Sequence, residues 1–472
     1  MLFTSVIFLS LFLPLVLLGN HFISKKYKNL FLLFCNVIFY SWGEYLLIGI
    51  MFLSIYTNWQ CSLLIEQGKK KAGMYIALII SISLLVFYKY ANFVLQNIGS
   101  IFDLFDIQFD TQIKGVALPL GISFYTFQTL SYTIDVYRGQ IKANKSFVNF
   151  AAYVSLFPHL VAGPIVRYVD IDKELEERHV NRSKFTQGLE RLILGLAKKM
   201  IIANTCASVA DQIFSYSPEF ISSGVAWIGI IAYSLQIYFD FSAYSDMAIG
   251  LAKMLGFNFL ENFNYPYIAA SMKDFWRRWH ISLSTWFRDY LYIPLGGNKV
   301  SSSAMYRNLF IVFFATGLWH GASWNFIIWG LMHGVFLILE RLFLEKTLQK
   351  LWKPIGHIYT LLVVMIGWVF FRADTLPHAI AYLKKMFFIM PDTQDIVFYV
   401  QNVLTAQNVI IFVLGFLFSL PLFPFFQKKY KEVYQDSKVL QGMYYATLIG
   451  LLYIVMVYLS VDTYNPFIYF RF

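Results

Sequence analysis

One histidine stands in a pattern that could carry out acyl transfer. His320 lies in the apolar run of residues 313–324, FFATGLWHGASW, among aromatic residues and between Gly317 and Gly321. A neutral imidazole has an unperturbed pKa of about 6.5 and can take a proton from a hydroxyl nucleophile near neutral pH. The same spacing of small residues is typical of close helix packing, in which the histidine would only fill space. Residue chemistry alone leaves both interpretations open.

A second polar cluster is residues 274–280, DFWRRWH. On a helix, Asp274 would pair with Arg278 four residues later, and Trp276 would share a face with His280. Tryptophan and arginine are also common where a protein meets the membrane surface. The residues alone therefore favour an interfacial anchor over a site.

Other polar side chains interrupt apolar runs, where an ionisable group is costly and suggests a function. His333 stands between two glycines, which favours a packing role. His159 follows a proline and could either line a pocket or pack a loop. Asp240 has Tyr244 four residues later as a hydrogen-bond partner, so structural pairing is favoured over a proton path.

The elements that position these residues must be membrane helices. The chain has 472 residues, of which 58% are hydrophobic and 14% charged, whereas soluble domains are about 25% charged. Its net charge of +11 comes from short basic clusters between apolar runs, which indicates topology determinants rather than nucleic-acid binding. Cys35, Cys61 and Cys206 lie far apart, without the spacing of a disulfide framework or a zinc site. We expect one all-α polytopic membrane domain over residues 1–472.

Crossing the hydrocarbon takes about 20 apolar residues as a helix. The candidates lie near residues 2–20, 29–43, 45–65, 74–96, 116–136, 188–214, 225–255, 308–322, 323–340, 355–371, 407–426 and 441–460. The first has no basic residue before it and no cleavage site, which predicts a retained span with the N-terminus outside. The positive-inside rule then places the acidic loop 97–115 outside.

Two segments do not fit simple spans. Residues 147–166 contain prolines and a glycine that would interrupt a helix, which predicts a re-entrant hairpin. Residues 273–307 combine basic residues with tryptophans, which predicts a cytoplasmic segment lying at the membrane interface.

Taken together, the motifs resemble the membrane-bound O-acyltransferase (MBOAT) family, in its bacterial branch for alginate and peptidoglycan O-acetylation. The resemblance covers nearly the whole chain and is carried by residues 264–267, 274–280, 286–297, 317–324 and 465–472. It implies about 11–13 transmembrane or re-entrant helices around a central funnel. Through that funnel an acyl group would pass from a cytoplasmic thioester to an acceptor outside.

The resemblance also implies site residues. The family's catalytic histidine falls on His320, and a second polar site falls on His280. Donor-binding or funnel candidates are Asn264, Tyr265, Trp276, Arg277, Arg278, Trp279, Arg288, Trp319 and Asp240. No metal and no bound cofactor are expected, and acetyl-CoA is the expected acyl donor.

The expected function is O-acetylation of an envelope or extracellular polysaccharide from the bacterial inner membrane. The expected partners are membrane lipid, a periplasmic SGNH-type acetyltransferase and a polysaccharide acceptor reached indirectly, with no nucleic acid. Alternatives are D-alanyl transfer to teichoic acid and, from another class, an exporter coupled to protons through Asp135, Asp240 and Asp246. A non-enzymatic scaffold, which would need no chemistry at His320, ranks last.

Overall fold

The computed structural model describes residues 1–107, 110–113, 117–392, 400–429, 437–461 and 464–467. Within these residues the chain is helical and contains no β-strand. Seven of the described helices are long and apolar enough to cross a membrane. An all-α polytopic fold is therefore confirmed.

The chain divides into two compact units, of which the first comprises residues 1–189 and 248–260. Its helices are α1 (Phe8–Phe22), α2 (Lys28–Glu44), α3 (Ile48–Glu66), α4 (Lys70–Asp103), α5 (Ile122–Tyr137), α6 (Phe147–Val154), α7 (Phe157–Leu160) and α8 (Tyr168–Glu176). Polar bonds join three of them inside the apolar interior: Asn58 of α3 donates to Ser81 of α4 at 3.0 Å, and Thr133 of α5 donates to Asn58 at 3.0 Å. Each of these three polar side chains thus has a partner on another helix, which offsets the cost of removing it from water.

The second unit comprises residues 190–247 and 261–472 and contains the candidate site residues. Two long helices, α9 (Arg182–Phe214) and α10 (Ser223–Leu255), contribute to both units. The remaining helices are α11 (Met272–Arg278), α12 (Ile281–Phe287), α13 (Ser302–His320), α14 (Trp324–Lys350), α15 (Lys353–Arg372), α16 (Leu376–Met386), α17 (Ala406–Phe418), α18 (Leu422–Lys429) and α19 (Lys438–Val461).

Most of the predicted spans coincide with helices, but two differ. The span expected at 407–426 ends at Phe418 and a new helix begins at Leu422, because Pro421 has no N–H to continue the hydrogen-bond ladder. The span expected at 116–136 begins only at Ile122, after Gly121 with φ +75°, and residue 116 lies outside the described residues. A backbone with positive φ breaks an α-helix and favours glycine at this point.

Residues 147–166 form no continuous span, in agreement with the prediction of a broken segment. The eight-residue α6 would be about 12 Å long, too short to cross the hydrocarbon. His159 in α7 donates from Nε2 to the Tyr153 carbonyl at 2.8 Å and stacks on Phe259 with ring centroids 5.2 Å apart. Of the two interpretations of His159, these contacts match loop packing.

Candidate functional site

The DFWRRWH motif forms a short helix followed by an unusual backbone turn. Asp274 and Arg278 pair at 3.0 Å on α11, as predicted. The helix ends at Arg278, and His280 has φ 43° and ψ 56°, a left-handed conformation that few residues other than glycine adopt. The prediction that Trp276 and His280 share a helix face is therefore wrong. A backbone held in this way is sustained by its surroundings and is found at functional sites.

The surroundings of His280 place hydrogen-bonding groups against its Nδ1. The Ser282 backbone N–H donates to Asn262 Oδ1 at 3.1 Å, and Asn262 Nδ2 donates to Ser245 Oγ at 3.2 Å. Asn262 Oδ1 can only accept, so its contact of 3.2 Å with His280 Nδ1 is a hydrogen bond when Nδ1 carries the proton. In that tautomer His280 Nε2 bears a lone pair, and Nε2 has no hydrogen-bond partner in the part of the chain that the structure describes.

His280 is completely buried, and burial lowers the pKa of its imidazole well below the usual value. Desolvation disfavours the charged form of the ring. The side chain is therefore neutral near pH 7, with Nε2 able to accept a proton or a hydrogen bond.

Three histidines from different parts of the sequence lie close together through tryptophan rings. Trp319 contacts His280 with ring centroids 6.0 Å apart and His320 at 4.9 Å. Trp329 contacts His320 at 4.9 Å and His333 at 5.0 Å. We call these five residues the histidine cluster. The expected approach of His280 and His320 is a tertiary contact made through Trp319.

The hairpin of α13 and α14 holds this arrangement by close backbone contact. A Cβ atom on Gly317 would overlap the Phe326 carbonyl oxygen, and one on Gly330 would overlap the Phe313 carbonyl oxygen. The prediction of small-residue packing at Gly317 is thus confirmed, yet the same packing places His320 in the cluster. The two interpretations of the FFATGLWHGASW segment are compatible.

The tryptophans of the DFWRRWH motif lie inside the protein. Trp276 contacts His333 at 5.3 Å and Trp329 at 5.9 Å, and Trp279 contacts Trp368 at 5.0 Å. Both are buried, so these two tryptophans do not anchor the motif at a membrane surface. The hydrophobic side of α11 faces other helices instead of lipid headgroups.

The charged candidates lie outside the cluster. Arg278 pairs with Asp274, and Arg288 pairs with Asp289 at 2.7 Å. Arg277 is exposed and has no ion-pair partner among the described residues. Asn264 is exposed and Tyr265 is half-buried, both in the link before α11.

Asp240 belongs to a separate buried ion pair that the sequence did not predict. Its Oδ1 lies 2.7 Å from Nζ of Lys199 in α9. Lys199 also donates to the carbonyl of Pro466, and Asn204 donates to Asn465 Oδ1 at 3.4 Å. The C-terminal motif is thus held at its beginning, while residues 468–472 lie outside the described residues. The feature of the sequence that could have revealed this ion pair was a lysine inside an apolar run.

The described residues contain no group of three or more histidine, cysteine, aspartate or glutamate side chains that could hold a metal ion. Fold and cluster define a polytopic membrane protein with a buried site of histidines and aromatic rings. Such a site can accept and release a proton, whereas the charged candidate residues lie outside it.

Comparison with known proteins identifies the class. The chain matches the model of the membrane-bound O-acyltransferase family over residues 34–371. It is 43% identical over 393 residues to the "probable alginate O-acetylase AlgI" of Azotobacter vinelandii, an alignment covering 82% of this chain and 78% of the relative. It is 36% identical over 425 residues to the peptidoglycan O-acetyltransferase of Helicobacter pylori, covering 82% and 80%. It is 28% identical over 266 residues to the teichoic acid D-alanyltransferase of Bacillus subtilis, covering 53% and 66%.

The chain belongs to the MBOAT family and is a multi-pass membrane O-acyltransferase. The resemblance inferred from the motifs is confirmed. The histidine cluster lies within the matched region up to residue 371, together with all candidate site residues.

Proposed function

We propose that this protein transfers acetyl groups from a cytoplasmic donor for O-acetylation of a cell-envelope or extracellular polysaccharide. Support comes from the relatives named for alginate and peptidoglycan O-acetylation, which align with 82% of the chain. The structural observation that carries the proposal is the burial of His280 and His320 in one aromatic cluster. A buried imidazole suits removal of a hydroxyl proton where water is scarce.

In the proposed reaction His320 is the general base. It takes the proton of the attacking hydroxyl as the oxygen bonds to the acyl carbon of the thioester. The carbon–sulfur bond then breaks, and the proton passes from the imidazole to the leaving thiolate. His280 orients the reactants by accepting a hydrogen bond at Nε2.

The proposed donor is acetyl-CoA, bound at the cytoplasmic face. Arginine makes charge-assisted bonds to phosphate, and exposed long side chains can do so without being buried. The guanidinium of Arg277 is the best placed of the predicted donor contacts because Arg278 and Arg288 already neutralise neighbouring carboxylates.

Replacing Arg277 by glutamine should raise the KM for acetyl-CoA about 10- to 100-fold with little change in kcat, since one charge-assisted bond contributes about 1.5–3 kcal/mol to binding. Steady-state kinetics in proteoliposomes measure this. Arg288→Gln is the matched control and should change KM less. Equal effects of the two variants would contradict a specific role for Arg277.

Replacing His280 by alanine should lower kcat by about 10- to 100-fold, less than the loss of a general base, because it removes an orienting contact. The comparison is made at equal amounts of membrane-inserted protein. An unchanged transfer rate would assign His280 to packing alone.

Replacing Asn262 by aspartate tests whether the reaction requires the neutral ring of His280. A carboxylate beside Nδ1 raises the pKa of His280. The ring is then protonated at a higher pH, so the acid side of the pH–rate profile should move to higher pH. If the profile of Asn262→Asp coincides with that of the parent protein, the reaction does not depend on the neutral His280 ring.

The proposed location is the bacterial inner membrane, with a periplasmic SGNH-type transferase as partner and a polysaccharide as final acceptor. D-alanyl transfer is the nearest alternative, supported by the match to a teichoic acid D-alanyltransferase. The exporter hypothesis has less support, because its carboxylates Asp240 and Asp246 are both in ion pairs, with Lys199 at 2.7 Å and with Arg191 at 2.8 Å.

The deciding experiment uses purified protein in vesicles. Labelled acetyl-CoA or a D-alanyl carrier protein is supplied outside inside-out vesicles, with an oligosaccharide and the partner transferase in the lumen. Acetyl transfer that depends on this protein supports the proposal. Transfer of D-alanine in place of acetyl would replace the proposal by D-alanyl transfer. Polysaccharide movement without acyl transfer would replace it by the exporter hypothesis.

A further inference from the structure

Glu340 is a carboxylate buried deep in α14 that none of the sequence motifs includes. Only 3% of its surface is exposed. A carboxylate in such a place is costly unless hydrogen bonds compensate it. Its Oε1 accepts a hydrogen bond from the Met272 backbone N–H at 2.6 Å, and its Oε2 accepts one from the Lys273 N–H at 3.1 Å. Both partners belong to the first turn of α11.

These bonds complete the beginning of α11. The first N–H groups of any helix lack partners within the helix. In α11 the Asp274 N–H donates to Ser271 Oγ at 3.1 Å, and the Phe275 N–H donates to the Ser271 carbonyl at 2.9 Å. Met272 and Lys273 remain, and Glu340 accepts from both. The helix that leads to His280 is thus fixed at its start by a side chain from α14.

The same face of α14 carries part of the histidine cluster. Trp329, His333 and Glu340 follow one another at intervals of four and seven residues, which places them along one side of a helix. Trp276, one turn after the bonds to Glu340, packs against His333 and Trp329. A π-helical turn begins at Glu340, and such turns are frequent at functional sites.

We infer that Glu340 is a positioning residue, which holds α11 on α14 and thereby sets the place of His280 relative to His320. It acts through backbone contacts and touches no substrate. The seven residues of α11 span about 10 Å, so movement of the start of the helix is transmitted to His280 two residues beyond its end. A displacement of about 1 Å at a catalytic site can lower the rate about 100-fold.

The test is Glu340→Gln, with Glu345→Gln as matched control. Glutamine keeps one acceptor oxygen but turns an NH₂ group toward the second backbone N–H. Glu345 contacts the same segment through Lys273 Nζ at 2.9 Å, but at the surface. For Glu340→Gln we expect a 10- to 100-fold lower kcat. Amide hydrogen exchange at Met272 and Lys273 should be at least tenfold faster, while Glu345→Gln changes neither measurement.

The inference rests on the proposed function for its kinetic arm, whereas the exchange arm is independent of activity. Unchanged exchange, or faster exchange with an unchanged kcat, would overturn it while acetyl transfer by the parent protein still stands. If the parent protein transfers no acetyl group, the proposed function fails, and with it the role of Glu340 in that reaction. Should Glu340→Gln not accumulate in the membrane, Glu340→Asp takes its place, and faster exchange at Met272 and Lys273 with a normal kcat in that variant would overturn the inference.

Discussion

Replacing His320 by glutamine should abolish acetyl transfer while the protein still inserts and accumulates in the membrane. Positioned proton transfer contributes about 10²- to 10⁴-fold to a rate, and glutamine cannot accept a proton near neutral pH. Glutamine keeps much of the volume that fills the space between Trp329 and Phe371, whose ring centroids lie 4.9 and 5.1 Å from that of the imidazole. The loss should therefore be in kcat, measured with labelled acetyl-CoA at equal amounts of membrane protein.

Two further variants separate chemistry from packing. His320→Ala should be equally inactive but less stable, because it leaves a cavity among aromatic rings. His378→Gln is the control for the substitution itself, since His378 lies on α16 outside the cluster and should retain full activity. Near-normal acetylation by His320→Gln would exclude the general-base role and favour the scaffold or exporter hypotheses.

Replacing Lys199 by methionine should destabilise the protein by about 3–5 kcal/mol, because it leaves the Asp240 carboxylate buried without its ammonium partner. The two side chains are only 4% and 1% exposed, so water cannot take the place of the missing charge. Methionine fills nearly the volume of the lysine stem, so the effect comes from the lost ammonium group and not from a cavity. Unfolding in mixed detergent micelles measures the change in free energy.

The double variant Lys199→Met with Asp240→Leu should recover most of this loss, since a buried ion pair can often be replaced by apolar residues of similar size. It still lacks the bond from Lys199 to the Pro466 carbonyl, which contributes about 1 kcal/mol. Lys198→Met is the matched control: Lys198 pairs with Asp246, which keeps Arg191 as a second partner, and is 37% exposed. A loss no larger for Lys199→Met than for Lys198→Met would show that the buried pair does not stabilise the fold.

The spacing of residues along the sequence correctly predicted a contact between side chains one helix turn apart. The pairing of Asp274 with Arg278 follows from one turn of helix and is present at 3.0 Å. Where the chain leaves the helix, such rules fail: the left-handed backbone at His280 depends on bonds from the loop at Asn262. Trp276 resembled an interfacial anchor for a similar reason, because its neighbours on α14 are more than 50 residues away along the chain.

The sequence by itself determined that the protein is helical and embedded in a membrane, because the hydrocarbon requires long apolar segments whose backbone groups bond within each helix. Its motifs also determined the family. Only the tertiary structure decided that His280, His320 and His333 meet through two tryptophans, that Asn262 lies beside Nδ1 of His280, and that Lys199 and Glu340 find their partners. These contacts join segments that are distant along the chain. They depend on which helices pack closely together, and hydropathy and residue spacing do not specify that packing.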